Sequence, residues 1–447
     1  MDDLTDSHAF QPIVLLIPIA KPAANPHRTA MHGQEATNKK RIKIPKEREL
    51  VAMMASIMAL NALAIDTMLP AFQEMRDALG IGNPNHVQYV ISFYLLGMGL
   101  GSIIYGPLSD RFGRKAVLLP ALAGYGLFSL ACSFAPSFEM LLAMRMAQGL
   151  CGAALGVLVA AIIRDRFEGD TMARHMSMIF MTFMIVPIIA PSIGALILKV
   201  APWRTIFDLF AVLALVVAFW AWRRLPETLS PDNVIRFNVG SIASGSKTVL
   251  MNRQAMGYVL ASAVIQGSLY GYLNASEQLF SFTFGARDFF PIGFAIIAIG
   301  IAFANFTNSR IVMKFGARRV SHSAVFIYIT LGLLQLGAAW FFASSLSLFM
   351  ALLMGNMALI GFLGPNFSSI AMQPFGHMAG IASSFQQSLR QMLGAGIGAA
   401  IGAQFNGTAI PMAIGFCVCG TASLLLIFWG ERGKLFTRPH SAPRSPM

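Results

Sequence analysis

Gly106-Pro107-Leu108-Ser109-Asp110-Arg111-Phe112-Gly113-Arg114-Lys115 lies between two apolar runs, Val87 to Tyr105 and Ala116 to Phe134. Each run is long enough to cross a hydrocarbon core of about 30 Å as a helix. A short charged turn between two such runs belongs at a bilayer surface. Its cations Arg111, Arg114 and Lys115 place it on the cytoplasmic side. Read outward from this turn, the chain is an all-α integral membrane protein.

Composition agrees. Of 447 residues, 56% are hydrophobic and 12% charged, against about 25% charged in soluble domains. The net charge of +13 would suit nucleic acid if it formed a stripe on a soluble domain. Here the cations sit in loops and tails between apolar runs, which argues against a nucleic-acid partner and for ordinary positive-inside insertion in a lipid bilayer. Cys132, Cys151, Cys417 and Cys419 lie in apolar runs without zinc or redox spacing.

Twelve apolar segments follow one another, with approximate cores 50–71, 87–106, 116–134, 138–163, 175–198, 204–222, 255–277, 290–313, 321–342, 346–371, 379–402 and 409–429. They lack the two-residue alternation of barrel strands, so transmembrane helices are expected. Arg76, Lys199, Arg204 and Arg287 fall at outer helix ends, and Arg145 and Arg390 within spans. The remaining Lys and Arg share the side of both tails, which makes both termini cytoplasmic.

The expected organisation is a disordered cytoplasmic tail over 1–47, with Met31 a candidate biological start, and a first six-helix half over 48–225. A polar, Gly/Ser-rich cytoplasmic linker over 226–253 leads to a second half over 254–431 and a tail over 432–447. An internal repeat supports two halves: Arg111-Phe112-Gly113-Arg114-Lys115 is echoed by Lys314-Phe315-Gly316-Ala317-Arg318. Met313 stands where the first copy has Asp110, so the second copy lacks that acid.

Ionisable side chains at bilayer depth are costly, which makes each a functional candidate. Asp66 lies in the outer half of span 1, and Arg145 at similar depth in span 4, where the two can face each other. Burial favours a neutral carboxyl and a nearby cation the ionised one, so moving Arg145, wetting the cavity or binding a cation would switch protonation. The plainer reading is a fixed ion pair joining two helices. Glu277 follows Tyr270, Tyr272 and Asn274 on span 7; it reads first as a solvated helix end near the outer mouth, and second as a substrate contact. Arg390, near mid-membrane among Gln386, Gln387 and Gln391, must face a cavity, water or an acceptor. Asn61, Asn356 and Asn366 complete the cavity candidates, although single polar residues in spans often only join helices.

The opening turn fits the pattern G-x-L-[ST]-D-R-x-G-R-[KR] and so resembles the signature of the major facilitator superfamily. Pro226-Glu227-Thr228-Leu229 after span 6 resembles the superfamily as well. Arg145-Met146-Ala147-Gln148-Gly149 resembles the R-x-x-Q-G motif of its proton-coupled efflux members. Pro187 to Gly194 is a partial match to the antiporter motif G-P-x-x-G-G, with Ala190 and Ala195 where glycines are expected. Asp66-Thr67-Met68-Leu69-Pro70, Gly376 to Ser384, and Asn406-Gly407-Thr408 with Pro411 resemble the Bcr/CflA branch of drug:proton antiporters.

This resemblance implies two six-helix halves and export of small organic compounds across a bacterial inner membrane. The driving force would be inward proton flow, with no cofactor and no ATP, by a monomer. It assigns proton transfer to Arg145, and to Gly106, Asp110, Arg111, Gly113, Arg114 and Asp165 a latch holding the outward-open state. In that latch Asp110 would accept hydrogen bonds at the start of span 11, near Gly376 to Met378, and Arg114 would pair with Asp165. Two other readings stand beside export: a proton symporter importing a small metabolite, and a non-transporting multispan sensor. A membrane enzyme would want a His/Asp/Glu cluster at an interface, and the sequence offers none.

Overall fold

The computed structural model describes residues 46–230 and 239–436. The tails over 1–45 and 437–447, with Met31 and the basic run before Pro45, lie outside the described residues. Among those described there are helices and no strand. The long helices are α1 (Glu47–Asp66), α3 (Tyr89–Phe112), α4 (Arg114–Ser133), α5 (Phe138–Arg166), α6 (Gly169–Leu198) and α7 (Arg204–Arg224). A second set comprises α9 (Arg253–Gln278), α10 (Phe290–Phe315), α11 (Ala317–Phe341), α12 (Leu346–Met372), α13 (Ala379–Ala403) and α14 (Ile410–Gly430). Two short helices complete the list: α2 (Phe72–Leu79), continuing α1 past a tight turn, and α8 (Val239–Met251). The stretch expected as a polar linker thus carries a helix, and Gly245 of α8 lies against Met378 and Ile381 at the start of α13.

Ten of these helices are long and apolar enough to cross a membrane, against the twelve expected. The two that fall short, α9 and α13, are 26 and 25 residues long. Their length suffices; their polarity does not qualify. The reason lies in packing. From Ala255 to Gln278, α9 is buried on almost every face, wrapped by α12, α13 and α14. A helix surrounded by protein has little lipid to face and can carry Gln266, Asn274, Glu277 and Gln278.

Helix ends follow local chemistry. Ser137 caps α5 by accepting from Met140 N at 3.3 Å, and Asn252 caps α9 by accepting from Ala255 N at 2.9 Å. The sharp reversals between α3 and α4 and between α10 and α11 turn on Gly113 (φ 99°) and Gly316 (φ 83°), a region that side chains disfavour. Packing is close where α3 crosses α5. A Cβ on Gly149 would sit 2.0 Å from the Tyr94 carbonyl oxygen, and one on Gly97 would sit 2.1 Å from that of Met146. Glycine at both places lets the two backbones touch.

Helices α1 to α7 pack mainly among themselves, and α9 to α14 do likewise; α3 against α13 and α6 against α10 join the two sets. The bundle has two ends, one carrying the Gly106–Lys115 turn and the other, here the far end, carrying Pro84 to Gln88 and Ala403 to Gly407.

Candidate functional site

At the turn end, Arg114 is 3% exposed and saturated. Its Nε donates to Asp165 Oδ2 at 2.8 Å, and its Nη1 to Ser109 Oγ at 2.7 Å and Asp110 Oδ1 at 2.5 Å. Glu227 sits over the start of α4, where it accepts from Arg114 N at 2.8 Å and Lys115 N at 3.1 Å. A carboxylate there meets both the free N–H groups and the positive end of the helix. The Arg114–Asp165 pair forms as expected. The expected contact of Asp110 with the start of span 11 does not: Asp110, near the end of α3, pairs across the Gly113 turn with Arg114 at the start of α4 instead. Gly106 does approach α13, since a Cβ there would lie 3.1 Å from Ser384 Oγ. Arg111 is exposed and lies over the Phe112 ring.

The second copy of the turn is not without an acid. Arg318 Nε donates to Glu431 Oε1 at 2.7 Å, from the end of α14, so Glu431 serves Arg318 as Asp165 serves Arg114. Tyr258 donates to the same oxygen at 2.8 Å and lies 2.9 Å from His322 Nε2. Phe436 N donates to His322 Nδ1 at 3.0 Å. That fixes the tautomer: Nδ1 accepts, so the ring proton is on Nε2 and is given to the Tyr258 oxygen.

Deeper in, Arg145 is wholly buried. Its Nη2 donates to Ala64 O of α1 at 2.9 Å, its Nε to Val90 O of α3 at 3.1 Å, and its Nη1 to Gln148 at 2.6 Å. Gln148 passes the chain on to Ser129 Oγ of α4 at 2.6 Å. The guanidinium lies 4.3 Å from the Tyr94 ring centre and 5.7 Å from that of Phe207. Asn61 extends the same brace, donating to Gly152 O at 3.0 Å and accepting from Tyr94 Oη at 2.7 Å.

Arg145 and Asp66 do not pair. Ala64 offers its carbonyl to Arg145, and two residues on a helix is a rotation of about 200°, which turns Asp66 away. Asp66 is 5% exposed, with no hydrogen bond or ion pair among the described residues. It looks across the bundle toward α9, within electrostatic reach of Tyr270 and Tyr272. Tyr270 also feels Arg390 and donates to Gln391 of α13. Arg390 donates to Gln387, and its Nε has no partner among the described residues. Tyr270 on α9 thus bonds Gln391 on α13 and lies within electrostatic reach of both Asp66 on α1 and Arg390 on α13, where the two sets of helices meet.

The other candidates separate. Asn356 donates to Gln335 of α11 at 3.0 Å and Asn366 to Asn308 of α10 at 2.9 Å, so both join helices within the second set. Glu277 is not a solvated helix end. It is 3% exposed, accepts from Ser281 Oγ at 2.8 Å, and lines a far-end cleft of about 550 Å³ with Glu74, Lys199, Arg287 and Asp288. Asn274 donates to Ser92 of α3 at 3.3 Å.

Sequence reasoning overlooked Asn85, Gln88 and Gln278. Asn85 donates to Ala403 O and Phe405 O at 2.9 and 2.8 Å, and Gln278 to Pro84 O at 2.9 Å. With Asn274 they stitch the far end shut. Their signal was faint, because polar residues at span ends ordinarily mark only the water interface. Among the described residues no group of His, Cys, Asp and Glu is arranged to hold a metal.

The profile of the Major Facilitator Superfamily matches residues 54–399. A bicyclomycin resistance protein homolog from Haemophilus influenzae is 29% identical over 386 residues, covering 85% of this chain and 95% of that protein. Multidrug resistance protein D from Escherichia coli is 27% identical over 359 residues, covering 77% of this chain and 86% of its own length. A chloramphenicol resistance protein from Pseudomonas aeruginosa is 26% identical over 321 residues, 70% and 71% of the two chains. Among solved structures, the human organic anion transporter MFSD10 (TETRAN) superposes with a TM-score of 0.64 at 18% identity, covering 86% of this chain and 100% of that one, which shows a shared fold.

Proposed function

The chain belongs to the major facilitator superfamily, and from that premise we propose that it exports small organic compounds in exchange for protons by alternating access. The names of its relatives, resistance proteins for bicyclomycin, chloramphenicol and several drugs together, support drug-like substrates. In this reading α9 and α13 also cross the bilayer, giving twelve spans in two six-helix halves. The turn end and both termini face the cytoplasm of a bacterial inner membrane, as the distribution of Lys and Arg supports. The protein works as a monomer, needs no bound cofactor, and draws on the proton gradient.

One observation carries the reading: Asp66 is a buried carboxylate without a partner, set where the two sets of helices meet. Such a group is neutralised by a proton or by a bound cation. The two compete for the same oxygens, and competition at one carboxylate is the simplest form of antiport. Arg145, braced by carbonyls and an amide, holds α1, α3 and α5 in register around that acid and exchanges no proton with it. The turn-end network of Arg114, Asp110, Asp165 and Glu227, with Arg318 and Glu431 as its counterpart, latches the two sets in one access state.

The experiment is flux in proteoliposomes under an imposed pH gradient, with a lipophilic monocation as the probe of competition at Asp66 and the neutral compound chloramphenicol beside it. Antiport predicts movement of compound against the proton flow. Movement with it would establish an importing symporter instead, and no pH dependence in either direction would end the proton-coupled reading.

A further inference from the structure

Hydrogen bonds from Asn85 and Gln278 join the two sets of helices across the far end, yet its interior holds buried polar atoms without partners among the described residues. Gln88 is wholly buried and neither its Oε1 nor its Nε2 has a protein partner among the described residues. Asn274 Oδ1, Gln278 Oε1, Thr67 Oγ1 and Tyr272 Oη are buried without partners as well. These residues are 0 to 3% exposed. Gln88 and Asn274 are neighbours, since both meet the same face of Gly402. Thr67 follows Asp66 directly, and Tyr272 lies within electrostatic reach of it.

Buried polar atoms are almost always bonded, to protein or to ordered water. The orphaned amide atoms of Gln88, Asn274 and Gln278 gather at the far end, with the Thr67 hydroxyl next to Asp66, and such a set is what a string of internal waters requires. The string has a mouth. Tyr270, Asn274, Glu277 and Ser281 recur at helical spacing on one face of α9 and its extension. That stripe runs from the level of Asp66 to the far-end cleft lined by Glu277. A cleft of about 550 Å³ has room for many waters of about 30 Å³ each.

We propose that a chain of buried waters threads the closed far end from the Glu277 cleft to Asp66, and that Glu277 is the acid that passes protons along it. This deepens the antiport reading and rests on it. A proton from the far side binds the Glu277 carboxylate, leaves it for the water chain, and arrives on Asp66. Glu277 ends as it began, and Asp66 carries the proton until a substrate cation displaces it toward the turn end. Substrate and proton thus use different doors, and the acid can be loaded while the far gate stays shut. The charged groups around the mouth are Glu74 and Arg76 on α2, Lys199 after α6, and Arg287 and Asp288 before α10. Around Asp66 the titratable neighbours are Tyr270 and Tyr272 on α9.

The test needs the gate locked. Asn85 reaches the Phe405 carbonyl across the far end, so Asn85→Cys and Phe405→Cys can be joined by a short bifunctional cross-linker in the full-length protein. In oriented proteoliposomes the pH is stepped on the far side alone. Modification of Asp66 by dicyclohexylcarbodiimide, which attacks protonated carboxyls, is followed by mass spectrometry. The locked protein should label faster when far-side pH falls. Glu277→Gln, and separately Gln88→Leu with Asn274→Leu, should cut that response roughly tenfold while the response to turn-side pH persists, which reports intact folding. A locked protein blind to far-side pH would overturn the water chain, and an undiminished response in Glu277→Gln would overturn the role of that acid. Pumping by the unlocked protein is a separate measurement, so the path can fail while antiport stands.

Discussion

Arg145 is bonded to the carbonyl of Ala64 at 2.9 Å, two residues short of the acid it was expected to serve. The guanidinium thereby ties α1 to α3 and α5, and Asp66 is left facing the opposite set of helices. A buried cation held by carbonyls, an amide and an aromatic face is a brace, and the acid beside it is free to do chemistry.

A brace makes a definite prediction. Arg145→Met removes three hydrogen bonds from a charged donor, each of about 1.5–3 kcal/mol, and leaves Gln148 without its partner. Thermal unfolding in detergent should show a large loss of stability. Arg145→Lys should recover little of it, because an ammonium cannot fork to Ala64, Val90 and Gln148 together. Unchanged unfolding with lost transport would instead give Arg145 a direct part in proton transfer.

Glu227 caps α4 from outside the helix. Glu227→Ala should cost about 0.5–2 kcal/mol and loosen the turn end, seen as faster alkylation of a cysteine introduced at Ser384. The matching change Glu431→Ala strips acceptors from Arg318 and Tyr258 and should act in the same direction. If neither changes alkylation, these carboxylates serve insertion topology alone.

The crossing of α3 and α5 tolerates no side chain. Gly149→Ala should sharply reduce the yield of folded protein, since its Cβ would meet the Tyr94 carbonyl at 2.0 Å and the backbones would have to separate. Gly156→Ala, on the same helix with nothing within 4 Å of the added atom, is the control and should fold normally. Size-exclusion profiles of the two variants decide it.

Arg390 places a cation beside Tyr270. Arg390→Gln should weaken export of carboxylate-bearing compounds and leave monocations unaffected, read as a shift in the resistance spectrum of expressing cells across a compound panel. An unchanged spectrum would confine Arg390 to holding α13 through Gln387.

Much of this was legible in the sequence, and the omissions have physical causes. Hydropathy finds helices that face lipid, which is why the chain reads as a membrane protein, but α9 is enclosed by protein and tests as polar, and α13 tests as polar through its Gln, Ser and Arg residues. Buried ionisable groups announce themselves, so Asp66, Arg145 and Arg390 stood out. Their pairing did not follow, because depth along an axis carries no rotational phase and a step of two residues reverses the direction of a side chain. The second turn has Met313 where the first has Asp110 and reads as lacking that acid, whereas the fold brings Glu431, just past the end of α14, to Arg318. Glu277 looked solvated because it nears a helix end, and tertiary packing buries it.

The most direct test of the account is Asp66→Asn in proteoliposomes, assayed in two ways on one preparation. Export driven by a pH gradient should be abolished, while exchange of labelled for unlabelled neutral substrate such as chloramphenicol at equal pH should continue, because the amide keeps the shape of the protonated acid and loses the exchangeable proton together with the charge that would bind a cation. Full gradient-driven export by that variant would contradict the account at its centre.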